Sequence, residues 1–248
     1  MKLIFNADDF GHGKGINLGI IDAYQNGVVR STTIMAGKPG FYHAVGLAHQ
    51  NPGLKIGVHL TLTSGKSVGR PYKTITDGEG NFFDYKEFGR AARSCEIDLA
   101  EVESEYEAQI QKVLAAGITP DHLDSHHHTH NLPGIVDIFL RLAKKYGAAV
   151  RIQDKALLCG EYAGIKTPDV FEDSFYDDVS AGGLVEILSS HSEGSVEVMC
   201  HPGYIDRALH TGSVYNISRA YELDILTGRE LRDFIAGSGY TLSTFGDL

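Results

Sequence analysis

Cysteine is scarce in this chain of 248 residues. Its thiols, Cys95, Cys159 and Cys200, are scattered and build neither a disulfide framework nor a Cys-x-x-Cys zinc site. That usage fits a reducing compartment, and we expect the cytoplasm. Long hydrophobic runs are missing too. No stretch approaches the roughly 18–20 apolar residues of a membrane span. The opening MKLIFNADDF meets aspartate by position 8, so no signal-peptide core is expected. The match of Asn216-Ile217-Ser218 to a glycosylation acceptor is then chance. Basic charge is also short. Against 32 Asp and Glu there are 22 Lys and Arg, a net charge of −10. This argues against a nucleic-acid partner, which demands a basic face, and against docking on an anionic membrane. A small neutral or cationic substrate is compatible with it. Internal repeats, low-complexity tracts and Pro/Gly/Ser linkers are all lacking. No Gly-x-Gly-x-x-Gly follows the first apolar run, so a dinucleotide fold has little support.

What is present is a hydrophobic fraction of 42%, enough for a globular core. Short apolar runs alternate with helical periodicity. The runs 2–7, 31–36, 55–60, 121–126, 148–152, 196–200 and 241–245 read as strands. Helices are expected over 14–26, 98–116, 134–146, 182–191, 216–226 and 229–236. Gly27, Gly117 and Gly147 stand where C-terminal glycines belong. Thr227-x-x-Glu230 has the form of a capping box. Strands alternating with helices imply parallel βα units. The fold class is α/β, a seven-stranded, irregular (β/α) barrel, with an open doubly wound sheet as the alternative.

Residues 1–248 read as a single domain into which 64–95 is inserted as a lid or binding surface. Gly65-Lys66-Ser67 is no phosphate loop, because position 60 is leucine where that motif needs glycine. Asp77-Gly78-Glu79-Gly80-Asn81 is no calcium loop, because Phe82 stands where glycine is required. A hairpin turn suits it better.

The apolar runs end in a pattern. The first runs into Asn6, Asp8 and Asp9, the third reaches His59, the fourth enters DHLDSHHHTH (121–130), and the sixth meets His201. Parallel α/β folds gather their active sites at the carboxyl ends of strands. Singly, Asp-Asp reads as a turn or helix cap, His59 as a packed histidine and His201-Pro202-Gly203 as a turn. Together, at four strand ends, they read as a metal site. Alternation puts His122, Asp124, His126, His128 and His130 on one face while the chain stays extended. It points Asp8 and Asp9 in opposite directions, so that one can bind metal while its neighbour approaches the water or orients the ligands. Two histidines and an aspartate suit zinc, iron or cobalt and leave positions open for water.

NADDFG (6–11), GVHLTLT (57–63), HLDSHHHTH (122–130) and HPGY (201–204), followed by Arg219-x-x-Glu222-Leu223, occur in this order. This sequence resembles the YdjC-like carbohydrate deacetylases from end to end. The resemblance implies a barrel of the glycoside hydrolase/deacetylase type, a homodimer, and hydrolysis of N-acetyl groups on acetylated sugars such as chitobiose. It implies a divalent metal, magnesium by the family's usage, where the ligands themselves favour Zn²⁺ or Co²⁺. Its ligands match Asp9, His59 and His126, and the base matches Asp8. His201 is implied as the acid that protonates the leaving amine. Asn6, Asp124, His128 and Arg151 are expected beside the ligands or against substrate, Arg151 orienting Asp8 or binding the sugar. His127 is expected to be a bystander. The rival readings are hydrolysis of another amide or ester on this scaffold, and metal binding without catalysis.

Overall fold

Residues 3–5 are an unbroken apolar run, and Ala7 and Phe10 extend it past Asn6 and the aspartates, the pattern of a strand covered on both faces. They lie in β1 (Lys2–Phe10), buried from its second residue onward. The computed structural model describes residues 1–248, the side chains at positions 208 and 212 excepted. After β1 come α1 (Lys14–Gln25), β2 (Ser31–Ile34), α2 (Phe41–Gln50), β3 (Lys55–Leu60), α3 (Tyr85–Arg93), α4 (Leu99–Ala115) and β4 (His122–Ser125). Then follow α5 (Ile135–Tyr146), β5 (Ala149–Val150), β6 (Val170–Glu172), α6 (Ala181–Ser189), β7 (Ser195–Cys200), α7 (Arg207–Gly212), α8 (Ile217–Thr227), α9 (Arg229–Gly237) and β8 (Thr241–Leu242). Strands alternate with helices, so the expected α/β class is the observed one.

The chain divides into two compact units. The first comprises Met1–Thr33, Pro39–Lys55 and Pro168–Leu248. Its strands run β2-β1-β7-β6, with β8 against β1. The pairs β1–β7, β1–β8 and β6–β7 are parallel, and the β1–β7 register sets Asn6 opposite Met199 and Ala7 opposite Cys200. Helix α1 packs close to the turn after β7, since a Cβ on Gly19 would lie 2.5 Å from the Gly203 Cα.

The second unit comprises Ile34–Lys38 and Ile56–Thr167. Here the parallel order is β3-β4-β5, with His59 opposite Asp124 and Leu123 opposite Val150. Residues 64–82 are held by antiparallel bridges Lys66–Asn81 and Thr76–Phe82, with the turn at Asp77–Asn81 that the sequence indicated. Helix α3 follows, capped by the Asp84 side chain on the amides of Lys86 and Glu87. Helix α4 presents Glu101, Glu105 and Gln109 in a row. Glu101 accepts from the amides of Lys73 and Thr74, and Glu105 from those of Val68 and Gly69. The inserted segment is therefore tied down along its length.

Several expectations are corrected. The histidine tract is extended only to Ser125; His126–Asn131 is a 3-10 turn in which His127 and His128 are left-handed (φ 55° and 51°). The alternation thus covers His122 and Asp124 and stops before the other histidines. Asp9 is also left-handed (φ 71°), so strict alternation fails at the second aspartate. No capping box forms at Thr227: its hydroxyl bonds the Leu223 carbonyl inside α8, and α9 begins from Gly228. The expectation of seven strands omits β6, which is three residues long and only half-buried. Among the described residues, no helix is long and apolar enough to cross a membrane.

Candidate metal and catalytic site

In the first unit, pleating places Asn6 and Asp8 on one face of β1. Asn6 Nδ2 donates to Asp8 Oδ1 at 2.8 Å, and Asn6 Oδ1 accepts from the Ser31 hydroxyl at 2.8 Å. Asp8 is thereby aimed. Beyond it the chain turns. The left-handed Asp9 gives its carbonyl to the amide of His12, and the Gly11 amide is caught by Asn17 Oδ1 at 2.6 Å. Arg219 Nη2 reaches Asp9 Oδ2 at 2.5 Å, both side chains being buried.

The parallel register between β1 and β7 ends at Ala7 opposite Cys200, so Asp8 and His201 are the residues that follow this last pair. His201 Nε2 stands 4.0 Å from Asp8 Oδ2, and its Nδ1 stands 3.8 Å from Glu222 Oε1. Glu222 also accepts from the His201 backbone amide and from the Tyr215 hydroxyl. Burial, joined by the nearby Asp8 charge, pushes the Glu222 carboxyl up to about 7; the His201 amide, Tyr215 and Arg219 oppose the shift. Two aromatic rings flank the imidazole. Tyr176 and Tyr215 lie 5.6 Å and 5.5 Å from the His201 ring centroid, both edge-on to it, and stack on each other at 4.2 Å.

In the second unit, strand register again decides who meets whom. His59, opposite Asp124, engages its Oδ1 through Nδ1 at 2.7 Å. Arg151 follows β5 and pairs with the other oxygen at 3.0 Å. All three are buried. An Asp124 carboxylate paired with Arg151 favours the His59 tautomer that carries its proton on Nδ1 and leaves Nε2 as the donor atom. That is the carboxylate–histidine arrangement that prepares an imidazole for a metal. His126 is the first residue past β4, its ring 5.5 Å from that of His59. His127 bonds Thr63 Oγ1 through Nδ1 at 2.9 Å, and its ring stands 5.0 Å from that of Tyr85, tilted by 57°. His130 belongs to the core. It bonds Ser125 Oγ, stacks on Phe139 at 4.6 Å, and stays neutral because burial, and then the charge on His128, push it down to about 3.

Residues of a kind that can ligate a metal ion occur in each unit: Asp8 and Asp9 in the first, His59, Asp124 and His126 in the second. Within the second unit Asp124 is already committed to His59 and Arg151, which leaves the imidazoles of His59 and His126 as its candidate metal donors. Two imidazoles, one of them backed by a buried carboxylate, suit a divalent cation.

The residues singled out from the sequence fall into two groups by unit. Asn6, Asp8, Asp9 and His201 are in the first; His59, Asp124, His126, His128 and Arg151 are in the second. The sequence left Arg219 and Glu222 without a role and missed Tyr176 and Tyr215 altogether. A signal for the first two existed: an Arg and a Glu three apart share one face of α8, and both are buried.

The protein-family profile described as YdjC-like protein matches residues 2–237. A carbohydrate deacetylase of Brevibacillus brevis is 42% identical over 258 residues, covering 100% of both chains. Among solved structures, a protein of Enterococcus faecalis V583 to which cellobiose-phosphate cleavage has been ascribed is 34% identical. It covers 99% of this chain and 98% of its own, with a TM-score of 0.88. A family 4 carbohydrate esterase of Streptomyces lividans, solved with acetate, is 15% identical and covers 98% and 92%, with a TM-score of 0.56. That last likeness bears on fold alone, and the fold is the irregular (β/α) barrel type expected from the sequence. With a profile match over nearly its whole length and a full-length relative at 42% identity, the chain belongs to the YdjC-like protein family.

Proposed function

We propose that this protein is a metal-dependent hydrolase that removes N-acetyl groups from acetylated amino sugars, chitooligosaccharides such as chitobiose among them. The observation that carries the reading is the pairing of Asp8 with His201, an aimed carboxylate and an imidazole 4.0 Å apart at the ends of neighbouring strands. Such a pair supplies a base and an acid to opposite ends of one hydrolysis. The full-length relative named a carbohydrate deacetylase supports the substrate class.

In this reading Asp9, His59 and His126 hold one divalent ion, Zn²⁺ or Co²⁺ by the donor chemistry and Mg²⁺ by family usage. When bound, the ion acts as a Lewis acid toward the acyl oxygen and acidifies water. Asp8, held by Asn6, takes a proton from the attacking water. The water oxygen joins the acyl carbon, the carbon–nitrogen bond breaks, and His201 gives its proton to the departing nitrogen. Acetate and a free amino sugar leave. Arg151 and Asp124 hold the His59 tautomer, and Arg219 holds Asp9. A cytoplasmic location and a homodimer belong to the same reading.

A second reading is hydrolysis of a different bond in a related sugar, favoured by the Enterococcus relative at 34% identity. One experiment separates them. Purified protein is stripped of metal, re-supplied with Mg²⁺, Zn²⁺ or Co²⁺, and assayed for acetate from diacetylchitobiose beside a panel of other acetylated and phosphorylated sugars. Metal-dependent acetate release is the expected result. Turnover of a non-acetylated sugar alone favours the second reading.

A further inference from the structure

Tyr176 is half-exposed, at 41%, yet its ring is held in place. It stacks nearly parallel on Tyr215, with centroids 4.2 Å apart and planes 15° apart. Tyr215 is itself immobilised: its hydroxyl bonds the buried Glu222, and its carbonyl accepts from Arg219 Nε at 3.0 Å. The centroids of Tyr176, Tyr215 and His201 make a nearly isosceles triangle with sides of 5.6, 5.5 and 4.2 Å. His201 is nearly equidistant from the two rings and steeply inclined to both, at 72° and 68°. One face of Tyr176 is covered by Tyr215. Among the described residues, no aromatic ring covers the other face.

An exposed aromatic ring, pre-ordered by stacking and set beside the proton donor, is a platform for an apolar surface that arrives with the substrate. A pyranose has such a surface, because its axial C–H bonds make one face of the ring apolar. Its amide nitrogen is attached directly to the ring. A sugar laid on the open face of Tyr176 thus carries that nitrogen toward the imidazole that must protonate it. A surface tyrosine without a task has no need of a rigid second ring behind it.

We infer that Tyr176 is the binding platform for the pyranose ring that bears the scissile acetamido group, with Tyr215 as its rigid backing. The inference rests on the deacetylase reading above and adds the sugar-recognising residue to it. The stacking fixes the ring and takes no part in proton transfer, so its loss falls on KM.

The test is steady-state acetate release from diacetylchitobiose by metal-loaded wild type, Tyr176→Ala, Tyr176→Phe and Tyr176→Trp, with melting temperatures in parallel. The expected result for Tyr176→Ala is a rise in KM of about tenfold with a much smaller change in kcat. Tyr176→Phe and Tyr176→Trp restore a KM near that of the wild type, because each keeps an aromatic face. An unchanged KM in Tyr176→Ala, or a loss confined to kcat, would overturn the platform. If Tyr176→Ala melts too early to assay, Tyr176→Leu replaces it, and a wild-type KM in that variant overturns the inference equally. A wild type that releases no acetate from any acetylated sugar would instead sink the deacetylase reading on which the platform stands.

Discussion

Asp8 and Asp9 are chemically identical neighbours with different surroundings. Asp8 is aimed by an uncharged amide, and Asp9 is bound to a guanidinium. An acid meant to accept a proton keeps its basicity beside a neutral partner, whereas one meant to stay ionised gains from a cation. Asp8→Asn should therefore lower acetate release by about 10²–10⁴-fold, while metal content by atomic spectroscopy stays that of the wild type. Retained turnover would remove Asp8 as the base. Asp124 acts through His59. Asp124→Asn keeps the shape but loses the charge opposite Arg151, and the affinity for Zn²⁺ by calorimetric titration should fall about 10–100-fold. His130 makes a prediction about stability. It titrates near 6.5 when unfolded but stays neutral down to about 3 in the fold. Unfolding below about pH 6.5 therefore takes up a proton. The contribution is complete above that pH and is lost as pH falls toward 3, at about 1.4 kcal/mol per pH unit. Urea midpoints measured across that range should show a shallower acid slope for His130→Asn; an identical slope would mean that His130 is not the proton acceptor.

At the scale of elements, the longer ones were legible where periodicity is strong. Helices α1, α4, α5, α8 and α9 lie within a residue or two of their expected ranges, because each has an apolar stripe and, for α5, a left-handed Gly147 at its end. Helix α2 went unread because only Phe41, Ala44 and Ala48 face inward, and two of these are alanine. Strand β6 is too short and too exposed to leave a hydrophobic pattern. The 64–95 segment read as an inserted lid or binding surface, since much of what orders it lies on α4, outside its own sequence. Carboxylates on α4 bond the amides of Val68, Gly69, Lys73 and Thr74, and burial raises the Glu105 carboxyl against the pull of those amides. Glu105→Ala leaves two of those amides without an acceptor. It should cost about 1–3 kcal/mol in denaturant titration and speed proteolysis within 64–82. Unchanged cleavage there would show that the bridges at Lys66 and Thr76 suffice.

At the scale of the whole molecule, a metal bound to the fold and not to the unfolded chain must stabilise it. Zn²⁺ or Co²⁺ at a hundred times its dissociation constant should add about 2.7 kcal/mol and raise the melting temperature, with chelator reversing the gain. A melting temperature indifferent to every divalent ion would count against the proposed ligands. The sequence alone determined the class of fold and the chemistry at the strand ends. Alternating strand and helix periods imply parallel βα units, and parallel units gather whatever acids and histidines follow their strands. It did not determine what each of those side chains does. That is decided by pairings across long separations: His59 with Asp124, 65 residues away, and His201 with Glu222, 21 residues away. It is decided too by left-handed backbone at Asp9, His127 and His128, which breaks the alternation a strand would impose. Local propensity is blind to both. Register and burial, which exist only in the folded chain, choose the partner of each charge.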